Sequence, residues 1–412
     1  MATGKALNGK PYAGNPHVRF DEGEVASAAT PRRGSLLYNT EINVRNAENG
    51  NRVVFLDWLR IIACFMVMLV HTCEPFYFDA DGNTFFQSKN AAFWASWLDS
   101  LVRCCVPLFV MASSYLLFPV TRPTGEFFKR RLVRVFVPYA VWLCVYTAAW
   151  GEWAKLPFNF PFAGGHLWFV YMLMGLYLLM PLLSPWAEKA SEREVRGWLL
   201  LWLATTLFPF VRRFWLAKFG APEFGPTPFL WGEAPWNRFG AFYYVSGFFG
   251  YMLLGFYFRK FVPSLGWRRT LSLALPLWIV GMAIVWGGFY FRIPDAQGYP
   301  VARPYAFAVD LETSWEFCGF GVALMTVAYF LIIRKLDFSG VFYRRVVRPL
   351  SEASYGTYLL HMLILVPVVD CFRQHLPPAA TMIAAAVATY VLASAAGIVL
   401  RRIPFVGRFI VG

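Results

Sequence analysis

Three ionisable residues stand in one apolar run that opens Val53-Val54-Phe55-Leu56-Asp57-Trp58-Leu59-Arg60 and continues through Ile61-Ile62-Ala63-Cys64 to His71. Arg60 and His71 are eleven positions apart, so on a helix they share a face, separated by about 16 Å along the axis, with Asp57 on nearly the same stripe. A charge at bilayer depth costs several kcal/mol unless it meets a partner or a wet cavity, and an aligned stripe therefore implies a polar interior surface. An imidazole titrating near neutrality suits general-base work, and a charged stripe through lipid also suits proton coupling. The plainer alternative is an Asp57–Arg60 pair at one interface with His71 reaching outward at the other.

What must position this stripe is a membrane bundle. Hydrophobic residues are 58% of the 412 and aromatics 19%, against 15% charged, which is too apolar for a soluble domain of that size. Ten candidate spans are expected at about 53–73, 97–118, 132–150, 167–187, 197–211, 239–258, 271–290, 314–333, 353–371 and 379–400, each near the length a bilayer requires. The fifth is short and cut off by Arg212 and Arg213, so it is expected to tilt or to lie partly among other helices. The fold class is all-α, a polytopic membrane helix bundle of about ten transmembrane helices. No internal repeat of the kind that marks many secondary transporters is visible.

The net charge of +14 does not point to nucleic acid, because Lys and Arg cluster in short loops between apolar runs. With a cytoplasmic amino terminus the inner loops hold about 20 basic residues and the outer loops about 9, so both termini are expected to be cytoplasmic. Residues 1–52, rich in Gly, Asn, Ala and charge, are expected to be a flexible cytoplasmic tail, with 53–402 as the membrane domain and 403–412 as a short cytoplasmic tail. No charged segment followed by an apolar core opens the chain, so the first span is expected to serve as the membrane address. The seven cysteines are odd in number and mostly inside apolar runs, which fits packing better than a disulfide framework or a metal site. Cys73 and Cys371, near expected outer ends, are left open as a pair. The outer loop of about 212–238 carries Phe224, Phe229, Trp231 and Trp236, rings that suit either sugar stacking or an interfacial belt.

Further blocks accompany the stripe. The second span contains Arg103, Pro107-Leu108-Phe109 and Ser113-Ser114-Tyr115; the third is entered through Phe128-Lys129-Arg130-Arg131 and Arg134 to Pro138-Tyr139. The fourth runs from His166-Leu167-Trp168-Phe169 to Pro181-Leu182-Leu183, and a late block reads Ser354-Tyr355-Gly356-Thr357-Tyr358-Leu359-Leu360-His361. In this order and with this Arg–His spacing, residues 53–402 resemble acyltransferase family 3, and within it the members that O-acetylate bacterial surface polysaccharides, such as the enterobacterial common antigen enzyme. Ser114 stands where the family usually has Gly, a departure that touches helix packing more than chemistry.

The resemblance implies a multi-pass enzyme of the bacterial inner membrane that moves an acyl group from cytoplasmic acyl-coenzyme A to a hydroxyl of a cell-surface glycan or lipid-linked sugar. Acetyl-coenzyme A is the expected donor substrate, with succinyl transfer to a periplasmic glucan as a variant, and no metal is expected. On this reading Arg60, with Arg131 and Arg134, binds the donor's phosphates. His71 is the general base and Arg103 stabilises the oxyanion. Ordinary positive-inside bias accounts for Arg131 and Arg134 as readily. Glu74 is placed to orient the His71 ring, and Asp57, Tyr358 and His361 are candidates to line the cavity, while His166 is expected to be merely interfacial. A transporter or flippase of lipid-linked saccharides is the competing reading. Direct transfer and a covalent acetyl-His both remain open, as do the acceptor and the oligomeric state.

Overall fold

The computed structural model describes residues 52–79, 83–151, 153, 165–219, 240–296, 298–302 and 311–412. The expected tail up to residue 51 with His17, and the aromatic loop from 220 to 239, lie outside the described residues. α1 spans Val54–Cys73 and runs into a 3-10 turn at Glu74–Phe76, where Pro75 removes a backbone donor. α2 (Lys89–Val102) is capped by Ser88, whose side chain accepts from the Ala91 N–H, and α3 (Cys105–Leu117) follows after a two-residue break at Arg103-Cys104. α4 (Thr124–Arg131) passes through a π turn at Leu132–Phe136 into α5 (Val137–Trp150). Then come α6 (Trp168–Lys189), α7 (Glu192–Thr205), α8 (Phe208–Phe219), α9 (Phe248–Lys260) and α10 (Trp267–Met282). α11 (Phe320–Ile333), α12 (Arg348–Phe372), α13 (Pro378–Arg401) and the short α14 (Gly407–Val411) complete the chain. Among the described residues one small sheet pairs β1 (Phe85–Phe86) antiparallel with β2 (Val301–Ala302).

Among the described residues nine helical stretches are long and apolar enough to cross a membrane, which makes the protein an all-α polytopic bundle. The sixth candidate span is the exception: it starts as a 3-10 turn, Gly240–Val245, and its helix, α9, has 13 residues. The second span differs more. It begins at Lys89, well before the expected 97, because Ser88 caps the helix there, Ala91, Ala92 and Ala95 pack in the core, and Ser96, at which hydropathy alone stops, is buried and accepts from the Trp286 indole. Arg103 sits at a break inside the span. Pro107 accounts for the break, since its ring excludes the carbonyl four residues back, that of Arg103. The fifth span starts at Glu192, before the expected 197, turns at Thr206-Leu207 and ends at Val211 as expected, while the helical backbone of α8 continues through Arg212 and Arg213 to Phe219. Two π turns, Leu132–Phe136 and Tyr343–Val347, each precede a proline by two residues, Pro138 and Pro349. The ninth span accordingly starts at Tyr343, ten residues before the expected 353.

α1 is the central helix, packed against α2, α3, α12 and α13, with Leu56, Leu59, Ala63, Cys64 and Met68 buried along it. The Thr72 hydroxyl donates to the Met382 carbonyl of α13 at 3.0 Å. Elsewhere α9 lies so close to α3 that a Cβ on Gly255 would stand 2.5 Å from the Met111 carbonyl oxygen. Across the same seam Ser114 Oγ donates to the Met252 carbonyl. The glycine that allows close approach is thus on the facing helix, which is how the seam accommodates Ser114. Basic side chains tie one end of the bundle: Arg259 reaches the Tyr115 carbonyl at 3.1 Å, and Lys260 reaches those of Ala187 and Ala190 at 2.8 and 3.1 Å. The carboxyl ends of α3, α6 and α9 therefore meet there, and their open carbonyls are capped by cations. The last residues dock as well, with Trp142 Nε1 donating to the Ile410 carbonyl at 2.7 Å. Cys73 is buried and Cys371 exposed, and both are free thiols.

Gly255→Ala is expected to lower the thermal unfolding midpoint, at a cost of about 1–3 kcal/mol for the overpacked seam. Gly175→Ala, where an added Cβ meets nothing within 4 Å, is the control and should leave the midpoint equal or higher.

Candidate active site

Two polar centres occupy the two ends of α1. At the amino-terminal end the Asp57 carboxylate is fully buried. It accepts from the Tyr343 hydroxyl at 2.6 Å, from Ser351 Oγ at 2.6 Å and from Arg60 Nη1 at 3.2 Å. A buried carboxylate needs donors on each oxygen, and these come from α1, the π turn before α12, and α12 itself. The Asp57–Arg60 pair is real, yet it is one edge of a network and not an isolated surface pair. Arg60 keeps its side chain 22% exposed, so Asp57 orients a guanidinium that still reaches a solvent-accessible surface.

At the other end the His71 side chain is 15% exposed, and its Nδ1 lies 2.9 Å from Glu74 Oε1. A carboxylate only accepts, so Nδ1 carries the proton and Nε2 presents its lone pair. The His361 ring stands with its centroid 5.1 Å from that of His71, and the His166 ring lies 5.4 Å beyond His361. His361 is fully buried and its Nδ1 meets the Tyr358 carbonyl of the preceding turn. The Tyr358 hydroxyl donates to the His166 carbonyl at 2.7 Å, which fastens the start of α6 to α12. His166 is therefore not merely interfacial: its ring also packs edge-on against Tyr146 with centroids 4.3 Å apart. Among the described residues no three His, Cys, Asp or Glu side chains are arranged to hold a metal ion.

Arg103 occupies the break between α2 and α3. Its Nε and Nη2 engage Asp99 at 2.6 and 2.7 Å, and Nη2 also donates to the Tyr77 hydroxyl at 3.3 Å. The guanidinium lies over Trp315, 4.4 Å from the ring centroid, and the side chain is 11% exposed. Trp315 is in turn held by Ser100, whose Oγ accepts from the indole N–H at 2.8 Å. Nη1 has no hydrogen-bond partner among the described residues. The charges acting on the His71 ring are those of Glu74, Asp99 and Arg103, so the Arg103 pair belongs to the same end of the bundle as the histidines.

Of the sequence candidates, the structure brings Asp57 to Arg60, and Glu74, His361 and the Arg103 centre to the surroundings of His71, with Tyr358 one turn before His361. Arg131 and Arg134 lie apart on the α4–α5 segment. The Arg131 guanidinium packs 5.7 Å from the ring centroids of both Phe127 and Tyr177, and the segment is joined to α12 by Tyr355, which donates to the Val135 carbonyl at 2.6 Å. Sequence reasoning missed Asp99, Tyr77, Ser351 and Tyr343, and set His166 aside. For Asp99 a signal existed, an acid four residues before Arg103, the spacing of a helical ion pair. Tyr77, Ser351 and Tyr343 carried none, because their partners are distant in sequence.

The fold and these centres define a multi-pass membrane protein with buried ionisable groups at both ends of a central helix. Residues 53–400 match the model of the acyltransferase domain of family 3. The chain belongs to acyltransferase family 3 and is a membrane acyltransferase. Neither a curated protein nor a solved structure matches it.

Asp57→Ala strips the charge partner from Arg60 and the acceptor from Tyr343 and Ser351. It is expected to destabilise the fold by about 3–5 kcal/mol, and Asp57→Asn by less, as read from unfolding midpoints in a fixed detergent.

Proposed function

We propose that this acyltransferase moves an acetyl group from acetyl-coenzyme A to a hydroxyl of a cell-surface glycan or glycolipid across a bacterial inner membrane. The donor enters at the Arg60 end, which the bias of basic residues assigns to the cytoplasm, and the acceptor reaches the His71 end. The about 16 Å between the two residues along the helix is comparable with the length of an extended pantetheine arm. Arg60, oriented by Asp57, meets the donor's phosphates, and Arg131 and Arg134, on the separate α4–α5 segment, add positive charge to the same cytoplasmic side.

The carrying observation is the Glu74–His71 pair. With Nδ1–H donating to Glu74, the Nε2 lone pair is the only base the ring offers, and the carboxylate stabilises the imidazolium that forms. His71 Nε2 takes the acceptor's hydroxyl proton as its oxygen bonds to the thioester carbonyl carbon. The C–S bond then breaks, and the departing thiolate takes the proton back from His71. Arg103, whose Nη1 is uncommitted while Asp99 holds the rest of the fork, donates to the carbonyl oxygen as it becomes an oxyanion.

The test is transfer and exchange of labelled acetyl-coenzyme A by purified protein in lipid nanodiscs. His71→Ala is expected to lower kcat by about 10²–10⁴-fold, and Arg103→Ala by about 10²–10³-fold, whereas Arg60→Ala chiefly raises the donor's KM. Substrate uptake without donor turnover, unaffected by His71→Ala, would overturn the reading in favour of a transporter. Succinyl-coenzyme A outcompeting the acetyl donor would correct the acyl group alone.

A further inference from the structure

His361 carries a vacancy that the mechanism does not use. Its Nδ1 faces the Tyr358 carbonyl, and a carbonyl only accepts, so Nδ1 must be the protonated nitrogen. Nε2 therefore holds a lone pair, is fully buried, and has no hydrogen-bond partner among the described residues. Buried acceptors are almost always satisfied, and one left open costs about as much as a lost hydrogen bond. The neighbouring hydroxyls cannot fill it: Tyr358 spends its proton on the His166 carbonyl and Tyr146 spends its own on the Leu359 carbonyl. Glu74 and the Nε2 of His71 are acceptors too. His166 Nε2 is likewise buried and without a partner.

We infer that His361 Nε2 is a subsite for a second hydroxyl of the acceptor, so that the enzyme selects polyols over monohydric alcohols. This inference rests on the transfer reading above. The His71 and His361 rings are 5.1 Å apart, and each presents an Nε2 lone pair that takes a hydroxyl proton at about 2.8 Å. Neighbouring hydroxyls of one sugar ring satisfy both nitrogens together: one is deprotonated by His71 and acylated, and the other only donates to His361. A monohydric alcohol reaches His71 but leaves the His361 lone pair buried and open. The penalty falls on the wrong acceptor, the usual way a polar site rejects an analogue that lacks one hydroxyl. His361 is in this sense a binding residue, with no proton of the reaction passing through it.

The test compares two acceptors with the full-length protein in nanodiscs and acetyl-coenzyme A: methyl glucoside, and cyclohexylmethanol, which has a six-membered ring and one hydroxyl. Wild type should prefer the glucoside in kcat/KM. His361→Asn, which keeps a donor for the Tyr358 carbonyl but removes the Nε2 position, should shrink that preference about five- to tenfold, mostly through KM. His361→Gln, which returns an acceptor near Nε2, should recover part of it. Equal losses on both alcohols indicate a packing role and sink the inference, as does a wild type without preference, in which water fills the site. Donor turnover without transfer to either alcohol also sinks it while sparing the donor assignment. If no donor turnover is found at all, the transfer reading fails instead, and the subsite is judged by saturation-transfer NMR of methyl glucoside. A signal lost in His361→Asn sustains it; equal signals, or none, overturn it.

Discussion

Asp57 and His71 are carried by the same helix, and each meets a residue of α12: Ser351 donates to Asp57, and the His361 ring stands 5.1 Å from that of His71. Both helices climb in the same direction between these contacts, so α1 and α12 run parallel and the stripe on α1 is covered along its length. An ionisable group in the apolar interior must be paired or face a cavity, and this pairing lets one membrane helix carry an acid, a guanidinium and an imidazole at once. Remove α12 and Asp57 would lose the Ser351 donor and keep Arg60 as its partner on α1, while His71 would keep Glu74 and lose the cover of the His361 ring.

The interruptions in the helices serve the same centres. Pro107 opens the second span at Arg103, where Asp99 of α2 can fold back on the guanidinium. Pro349 accompanies the π turn whose Tyr343 reaches Asp57, and Pro138 accompanies the one whose Val135 carbonyl accepts from Tyr355. Irregular backbone inside a membrane protein is tolerated where protein or a polar cavity satisfies it. In each of these places a tyrosine or an arginine from the site, or from α12, lies at the interruption. Basic residues at the same end as Arg60 have two consequences together, since Arg259 and Lys260 cap helix carbonyls and also weight the charge of that end.

The apolar runs, their number near ten, the Arg60–His71 stripe and the family blocks were all readable from residue order, because spanning length and helical periodicity are local properties. The family itself follows from those blocks. The start of the second span failed where a polar residue was buried: Ser96 looks like the edge of a span until Trp286 is known to meet it. Only the tertiary structure brought His166 from the start of α6 to His361, and Tyr343 and Ser351 to Asp57, contacts between residues about two hundred or more positions apart. The reason is that a side chain's own type states what it needs, a proton, a charge or a cavity, while which distant helix supplies it depends on how the bundle packs.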